Sequence, residues 1–365
     1  FGVTGRLAVA TTATSARRLS AVLSALVLAV ALGGSLWFVQ TSVEHTAGTQ
    51  TRAGVLADEV VTAPGLGPDV ADTVRRTDGV SAATGVTHGT LFAKHGGLND
   101  YAAQGVDPDG ISRTLDLDVR SGTLADLRGD SVAVDTLTAH ALDLHVGGRF
   151  VGWFGDGAVA NLHVVAIYGR GVGFASFTVP AAVLLPHTAT GMPDTVFVRT
   201  DNVSALQAEL THVAPGAALV DRAGYRSELD RNLVQNGWTN RVITAVLLGY
   251  VVIAAVNSLA MYALGRRREF AVLRLAGTTR RQVLRMVRVE QVFLLGMALL
   301  IGVAIAAATL LPMVHGLTGS ATPYIPALGW AAVIGGLVLL GFAASTLPTR
   351  RVLRTRPVDA IGIRD

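Results

Sequence analysis

The sequence has no cysteine and one lysine among its 365 residues, and charged residues of all kinds make up only 15% of it. Without cysteine, neither a disulfide framework nor a thiolate metal site is possible. The single lysine, Lys94, lies in FAKHGGLND, outside any G-x-x-x-x-G-K-[ST] loop of the kind that holds nucleotide phosphates. Half of the residues are apolar and the mean hydropathy is +0.47, which excludes an ordinary soluble protein.

Long runs without charge predict membrane-spanning helices. Residues 19–43, 242–265 and 291–349 carry no Asp, Glu, Lys or Arg, and about 20 helical residues suffice to cross a bilayer core. The third run contains PMVHGLTGSATPYIP, whose three prolines and two glycines predict the end of one helix and the beginning of the next. We therefore expect four transmembrane helices.

Basic and acidic residues are separated along the chain. Residues 1–18, 266–290 and 350–365 hold 16 arginines and four acids, whereas residues 41–240 hold 13 basic and 22 acidic residues. Lys and Arg flank membrane spans on the cytoplasmic side. We therefore expect both termini and the 266–290 loop to be cytoplasmic and the acidic segment to lie outside. The arginines border apolar runs, so no nucleic-acid partner is expected.

The acidic segment has the pattern of a folded domain of mixed α+β class. The run PDVADTVRRTDG predicts a helix that begins after Pro68 and ends before Gly79, and two further helices are expected near 203–213 and 222–236. Asp156-Gly157 predicts a tight hairpin turn. Strands are expected in SVAV, RFVGWF, NLHVVAIY and TVFVRT.

These signals give a membrane α-helical fold with a large extracytoplasmic α+β domain inserted between the first two transmembrane helices. The expected organisation is a cytoplasmic lead-in at 1–18, transmembrane helices at 19–40, 240–264, 291–313 and 327–348, an outer domain at 41–239, a cytoplasmic loop at 265–290, a short outer loop at 314–326 and a cytoplasmic tail at 349–365.

The cytoplasmic loop RRREFAVLRLAGTTRRQVLRMVRVE is the most informative stretch of the sequence. Its arginines alone fit anchoring at acidic lipid headgroups. Phe270, Leu273 and Gly277 follow helical spacing, however, and TTRRQV predicts a new helix after a Gly-Thr break. A short helix of this kind is suited to docking on a partner protein.

The same loop, continued as RRREFAVLRLAGTTRRQVLRMVRVEQVFLLG, resembles the signature of FtsX-like and MacB-like ABC permeases, although Gly265 stands where that family has Glu. The resemblance extends more loosely to GTLADLRGDSVAVDTLTAHALDLHVGGRF in the outer domain. The first residue is Phe, and RLAVATTATSARRLSAVLSALVLAVAL resembles the start of a second unit in two-unit actinobacterial permeases. A position in the second half of such a polypeptide would account for the missing Met, and a processed product would account for it equally.

The resemblance implies that the loop grips a separate ABC ATPase subunit. The residues that it assigns to ATPase coupling are Arg268, Glu269, Phe270, Leu273, Arg274, Gly277 and Arg280. Asn257 and Ser258 would form a polar relay near the cytoplasmic end of the second span, or a hydrogen bond between helices. The pairs Gly33-Gly34 and Gly335-Gly336 are expected to allow close helix packing. No cofactor is expected on this chain, and ATP and Mg would belong to the ATPase.

Other chemistry is weakly supported. The glycines of YGRGVGF, residues 168–174, favour a strand-exit loop over a phosphate loop. The pairs His88 with His95 and His140 with His145 lack the i, i+4 spacing of a helical zinc site, and no G-x-S-x-G elbow is present.

The resemblance therefore implies a non-catalytic permease subunit in a bacterial plasma membrane. It would couple ATP hydrolysis by its partner to motion of the outer domain, a mechanism called mechanotransmission. Expected partners are the ATPase, a second permease unit (a fused half or a second copy), membrane lipids and an extracytoplasmic protein. The alternative is a membrane-anchored receptor whose outer domain binds a ligand without ATP-driven work.

Overall fold

The computed structural model describes residues 3–67, 69–266, 271–272 and 275–354. The chain forms two compact units. The helical unit comprises Phe1–Ser42, Gly237–His315 and Ser320–Asp365, and the sheet unit comprises Val43–Asn236 and Gly316–Gly319.

The two units are built from long helices and from short strands respectively. Within the described residues, the helices are α1 (Val3–Gly54), α2 (Val70–Arg76), α3 (Ile111–Thr114), α4 (Thr136–Ala141), α5 (Ala181–Leu184), α6 (Val203–Val213), α7 (Arg222–Gly265), α8 (Arg280–Thr318) and α9 (Ala327–Arg354). The strands are β1 (Glu59–Thr62), β2 (Val80–Lys94), β3 (Leu98–Val106), β4 (Val119–Gly122), β5 (Ser131–Asp135), β6 (Arg149–Phe154), β7 (Val159–Tyr168), β8 (Phe177–Pro180), β9 (Thr195–Thr200) and β10 (Ala218–Asp221).

One mixed sheet organises the sheet unit. Its strands follow the order β10-β1-β9-β2-β3-β8-β5-β7-β4, and β6 pairs with both β2 and β7. Most neighbours are antiparallel, but β3–β8 and β5–β7 run parallel. The α+β class predicted for this segment is confirmed by these elements.

Local sequence signals explain several of these elements. The predicted hairpin turn joins β6 to β7, where Gly157 has a φ of +88° and the Asp156 Oδ1 accepts from the Ala158 amide at 2.9 Å. Burial alternates along β7, as expected for a strand with one face on the core. Asp135 ends β5 and caps α4, because its carboxylate accepts from the amides of Leu137 and Thr138 at 2.8 and 3.2 Å.

The sheet unit is held by apolar clusters on the faces of the sheet. One cluster includes Leu115, Tyr168 and Phe197, with Tyr225 packed edge-on against Phe197 at a centroid distance of 5.4 Å. Burial, with smaller contributions from the charges of Asp194 and Glu228, raises the pKa of Tyr225 to about 12. The phenol of Tyr225 is therefore neutral over the physiological range.

The helical unit contains three helices that are long and apolar enough to cross a membrane among the residues described. They lie within Leu23–Gly54, Val242–Tyr262 and Arg280–Thr318. The apolar part of α9, Ala327–Ala343, is shorter. Three of the four predicted spans thus correspond to long apolar helices, and the fourth stays a prediction.

Contacts among α1, α7 and α8 form the core of the helical unit. Leu26 and Val30 of α1 pack with Leu259 of α7 and Ala298 of α8. A Cβ at Gly302 would lie 2.6 Å from the Cβ of Val30, so α8 approaches α1 closely only because residue 302 is glycine.

The close glycine contacts differ from those expected. Among the described residues, Gly335 and Gly336 have nothing within 4 Å of the position that a Cβ would take. The tight contact on α9 is made instead by Gly341, where a Cβ would lie 2.6 Å from the Leu295 side chain. The close packing expected at Gly335-Gly336 is therefore not found among the described residues and stays a prediction.

The ends of the helices also differ from the expectations. Pro312 does not end a helix, since α8 continues through it to Thr318. Apolar helices tolerate proline where neighbouring groups satisfy the freed carbonyl. The helix expected at 222–236 is continuous with the second apolar helix and forms α7. α1 likewise continues past the predicted end at residue 40 to Gly54.

Candidate functional site

The predicted coupling residues fall into two groups. Gly277 and Arg280 lie within the described part of the chain, as do Asn257 and Ser258. The other predicted coupling residues lie outside the described residues: Arg268, Glu269, Phe270, Leu273 and Arg274.

An ion pair joins the end of α7 to α8. The Arg266 guanidinium lies 2.5 Å from one carboxylate oxygen of Glu290, and the Tyr262 hydroxyl lies 2.5 Å from the other. The two charged side chains are 17% and 28% exposed, so water screens the pair only partly. The ring of Tyr262 also lies 5.5 Å from the Arg266 guanidinium carbon. These contacts hold the two ends of the loop near one another.

The second half of the loop has well-defined helix signals. Gly277 has a φ of +95°, which favours glycine because other residues rarely adopt the left-handed region. Thr279 precedes α8, and its hydroxyl accepts from the Gln282 amide at 3.3 Å while the Gln282 side chain accepts from the Thr279 amide at 2.8 Å. This reciprocal capping box begins α8 and confirms the helix predicted after the Gly-Thr break.

The first turns of α8 are amphipathic. Val283 and Val287 are buried with Leu284 against them. Arg280 and the three arginines that follow it along α8 are exposed: Arg281, Arg285 and Arg288. The helix therefore presents a basic surface next to the loop, suited to acidic lipid headgroups or to an acidic protein surface.

The predicted polar relay lies on α7. Ser258 is partly buried, and its hydroxyl donates to the carbonyl of Ala254 in the same helix at 2.9 Å. Asn257 is exposed. It continues a stripe of exposed apolar side chains at helical spacing that includes Val246, Tyr250 and Ile253. The described residues of this chain therefore leave Asn257 on a face open to lipid or to a partner.

Two members of this site, Tyr262 and Glu290, were missed by sequence reasoning. One feature of the sequence could have pointed to Glu290. It is an acid at the end of a run of basic residues, directly before an apolar segment. An acid at such a position is costly unless it is paired. An acid at this position therefore needs a basic partner close by, and Arg266 is that partner.

The remaining motifs belong to the sheet unit. The YGRGVGF glycines lie in the connection that leaves β7, which confirms a strand-exit loop. Lys94 ends β2, with its ammonium 5.5 Å from the centre of the Trp153 ring. Among the described residues no group of three or more His, Asp or Glu is placed to hold a metal ion.

Two histidines make carboxylate pairs in the sheet unit. His88 Nδ1 lies 2.9 Å from Asp194, and His187 Nδ1 lies 2.7 Å from Asp156. Burial raises the pKa of Asp194, but the hydrogen bond and charge of His88 outweigh it and leave the pKa below the ordinary value of 3.8. The hydrogen bond of His187 lowers the pKa of Asp156 in the same direction. Both carboxylates are therefore ionised at neutral pH.

A C-terminal segment of the chain, which contains the Arg266–Glu290 pair and the capped start of α8, matches a known family. Residues 241–357 match the family model described as FtsX-like permease C-terminal. These residues are thus similar to the C-terminal part of FtsX-like permeases. The resemblance to FtsX-like ABC permeases, first drawn from the loop sequence, is thereby confirmed. Permeases with this domain are membrane subunits of ABC transporters. No curated protein sequence matches the chain.

Two solved structures are similar to part of this chain at low identity. The extracellular domain of the noncanonic ABC-type transporter YknZ from Gram-positive bacteria is 15% identical, with a TM-score of 0.36 over 45% of this chain and 100% of that one. The periplasmic region of MacB from Actinobacillus actinomycetemcomitans is 13% identical, with a TM-score of 0.34 over 47% of this chain and 91% of that one.

Proposed function

We propose that this chain is the permease subunit of an ABC-type complex, and that it couples ATP hydrolysis by a separate ATPase subunit to motion of the sheet unit outside the membrane. The observation that carries this proposal is the FtsX-like permease domain over residues 241–357. That domain contains the loop between α7 and α8, which is the segment assigned here to the ATPase.

The loop has the properties of a docking element. Its two ends are fixed by the Arg266–Glu290 pair and by the Thr279 capping box. Val272 and Leu275, which flank the predicted anchors Phe270 and Leu273, are 54% and 61% exposed. Exposed apolar side chains in an arginine-rich stretch of sequence suit a groove on a partner protein, since such interfaces combine an apolar anchor with a charged rim.

ATP and Mg are assigned to the partner subunit. The single lysine lies at the end of β2 beside Trp153, and the glycines that follow β7 belong to a strand connection. Neither offers the backbone cradle with a lysine that holds nucleotide phosphates.

A second permease unit, either a fused half or a second copy, would cover the exposed stripe of α7. Asn257 lies on that stripe with Tyr250, which is 74% exposed, and Ile253, which is 68% exposed. An asparagine that faces lipid is costly, and the same side chain forms hydrogen bonds between packed helices. Membrane lipids would cover the other apolar side chains on the outside of the helical unit.

The orientation follows from the charges. We propose that both termini and the α7–α8 loop face the cytoplasm of a bacterial cell, and that residues 41–239 lie outside its plasma membrane. The cargo classes compatible with the proposal are lipids, lipoproteins, peptides and antibiotics. Control of a cell-wall hydrolase through an extracytoplasmic partner is the other output to be tested.

Purification of the full chain in mild detergent tests the proposal. We expect an ABC ATPase to co-purify in stoichiometric amount and to hydrolyse ATP, and we expect the chain stripped of that subunit to bind no ATP. A chain that purifies without any ATPase but with a signalling protein would support the receptor alternative instead. Stoichiometric ATP binding by the chain alone would contradict the assignment of the nucleotide to a partner.

A further inference from the structure

The loop that follows β7, residues 169–174, contacts the last turns of α1 in the sheet unit. The Gln50 side chain bonds to this loop twice: its Oε1 accepts from the Gly173 amide at 2.9 Å, and its Nε2 donates to the Gly169 carbonyl at 3.4 Å. The Thr51 hydroxyl donates to the Gly173 carbonyl at 2.8 Å. Three hydrogen bonds therefore join one turn of α1 to a loop more than 100 residues further along the chain.

The contact requires glycine in the loop. A Cβ at Gly173 would lie 2.6 Å from the Gln50 Cβ and 2.8 Å from the Thr51 amide nitrogen. At Gly54, the last residue of α1, a Cβ would lie 2.5 Å from the Phe174 ring. Helix and loop are thus in close contact at Gly173, which explains why that residue of YGRGVGF is glycine.

The beginning of α7 is tied to the same end of α1. The Arg222 guanidinium donates to the Ala57 carbonyl at 2.6 Å and lies 2.9 Å from the Asp58 carboxylate. One turn later, the Arg226 guanidinium donates to the Arg52 carbonyl at 2.7 Å. The end of α1, the start of α7 and the loop after β7 therefore form one connected cluster, which we call the clasp and define as Gln50, Thr51, Arg222, Arg226 and residues 169–174.

The position of the clasp gives it a mechanical consequence. α1 and α7 are the helices that carry the first two predicted spans, and each is unbroken as far as the clasp. We propose that the clasp is the element through which displacement of α1 and α7 reaches the sheet, with Gln50 and Thr51 as positioning residues. This inference rests on the proposed function. Without the clasp, α1 would move relative to the β7–β8 loop instead of carrying it.

Two pairs of variants separate this role from helix stability. Thr51→Val removes the bond to Gly173 together with a bond to the Ala47 carbonyl of its own helix. Thr49→Val, two residues earlier on α1, removes a hydroxyl whose bond among the described residues is to the Thr46 carbonyl of that same helix. Gln50→Ala removes both bonds to the loop. Gln50→Glu keeps the acceptor for the Gly173 amide and therefore restores part of the contact.

The absence of cysteine makes a spectroscopic readout direct. Spin labels at Ala53→Cys on α1 and Asn161→Cys on β7, both exposed positions, report the distance between helix and sheet without further substitutions. The measurement uses the full chain with its co-purified ATPase, with and without ATP and Mg. With the clasp intact we expect one narrow distance distribution that ATP leaves unchanged, because helix and sheet move together.

In the Gln50→Ala and Thr51→Val variants we expect the distance distribution between the two labels to broaden and to shift when ATP is added. The ATPase should still bind, but the ATP-driven activity of the complex should be lost. Thr49→Val should match the parent, and Gln50→Glu should lie between. A narrow, ATP-independent distribution in both clasp variants would overturn the inference while leaving the permease assignment intact. Failure of the parent chain to bind any ATPase would overturn the proposed function first, and the inference with it.

Discussion

Arg266, directly after α7, and Glu290, within α8, form a partly buried ion pair, with 2.5 Å between guanidinium and carboxylate. Replacing Arg266 by Gln leaves the Glu290 charge with the Tyr262 hydroxyl as its partner among the described residues. We expect a loss of unfolding free energy near the lower end of the roughly 3–5 kcal/mol found when one partner of a buried pair is removed. Reversible unfolding in detergent and SDS mixtures measures it.

The double substitution Arg266→Glu with Glu290→Arg is the control for this prediction. It restores opposite charges and should recover part of the lost stability. Arg285→Gln, at an exposed position of α8, should have little effect. Equal stability of the Arg266→Gln variant and the parent would show that the pair does not fix the loop.

The start of α8 depends on the Thr279 capping box. Thr279→Val keeps the shape of the side chain but removes the hydroxyl that accepts from the Gln282 amide, and we expect a loss of about 1 kcal/mol. Thr279→Ser should be close to the parent because serine caps equally well. Amide hydrogen exchange over the first turn of α8 measures the effect, and equal exchange in the Val and Ser variants would contradict it.

Local signals in the sequence predicted a good part of this fold. Asp156-Gly157 predicted the β6–β7 turn because that dipeptide supplies both a side-chain acceptor and a residue at positive φ. The charge-free runs predicted the apolar helices because membrane length sets their extent. The long β2–β3 hairpin was missed. β2 and β3 are rich in Gly and Ala and lack a clear apolar alternation, so their pairing depends on the surrounding sheet.

Non-local contacts account for most of the remainder. Tyr262 and Glu290 are 28 residues apart in sequence, and no periodicity links them. Gly173 must be glycine because a side chain there would collide with Gln50, which lies 123 residues away in the sequence. No local pattern in the sequence indicates that these two residues are in contact. Pro312 misled the prediction because a proline ends helices in water more reliably than in an apolar bundle.

The carboxylate–histidine pairs of the sheet unit predict an acid-sensitive contribution to stability. The folded-state pKa of Asp194 lies below the ordinary 3.8, so its stabilisation is present above that value and is lost as pH falls through the folded pKa. Asp194→Asn should therefore lower stability by up to about 1 kcal/mol at pH values above 3.8, since the pair is partly exposed. Below the folded pKa, variant and parent should converge.

Thermal unfolding of the full chain across this pH range measures the Asp194 effect, with the exposed Asp78→Asn as control. Asp156→Asn should show the same direction, because His187 lowers the pKa of that carboxylate too. A difference between Asp194→Asn and the parent that grows as pH falls would have the wrong sign and would contradict the assignment.

Asn257 should contribute to association with a second copy of the chain. Asn257→Leu removes a polar side chain from an exposed stripe of α7, and we expect self-association in liposomes to weaken by about 1 kcal/mol, or roughly fivefold in dissociation constant. Ser258→Ala is the matched control, because that hydroxyl already bonds to its own helix. Energy transfer between labelled copies measures both. Tighter association of the Leu variant would show that the stripe faces lipid.

The predicted anchors Phe270 and Leu273 provide the sharpest test of ATPase coupling. Replacing both by Ala should weaken binding of the ATPase by several kcal/mol, since truncated anchors cost roughly 2–4 kcal/mol each and such losses are not additive. Membrane insertion should be unaffected, because the apolar helices are unchanged. A pull-down of the ATPase in mild detergent, with insertion checked in parallel, measures the effect.

If the same loop instead anchors the chain to lipid, the arginines and not the two apolar residues should have the larger effect. Neutralising Arg266, Arg267, Arg280 and Arg281 would then have the larger effect, by about 1 kcal/mol for each charge at an acidic surface. Because Arg266 also pairs with Glu290, a triple variant that keeps Arg266 separates lipid contact from loop geometry. Wild-type affinity of the Phe270 and Leu273 double variant for the ATPase, with normal insertion, would reject the coupling assignment. The receptor hypothesis would then become the better account of the outer domain.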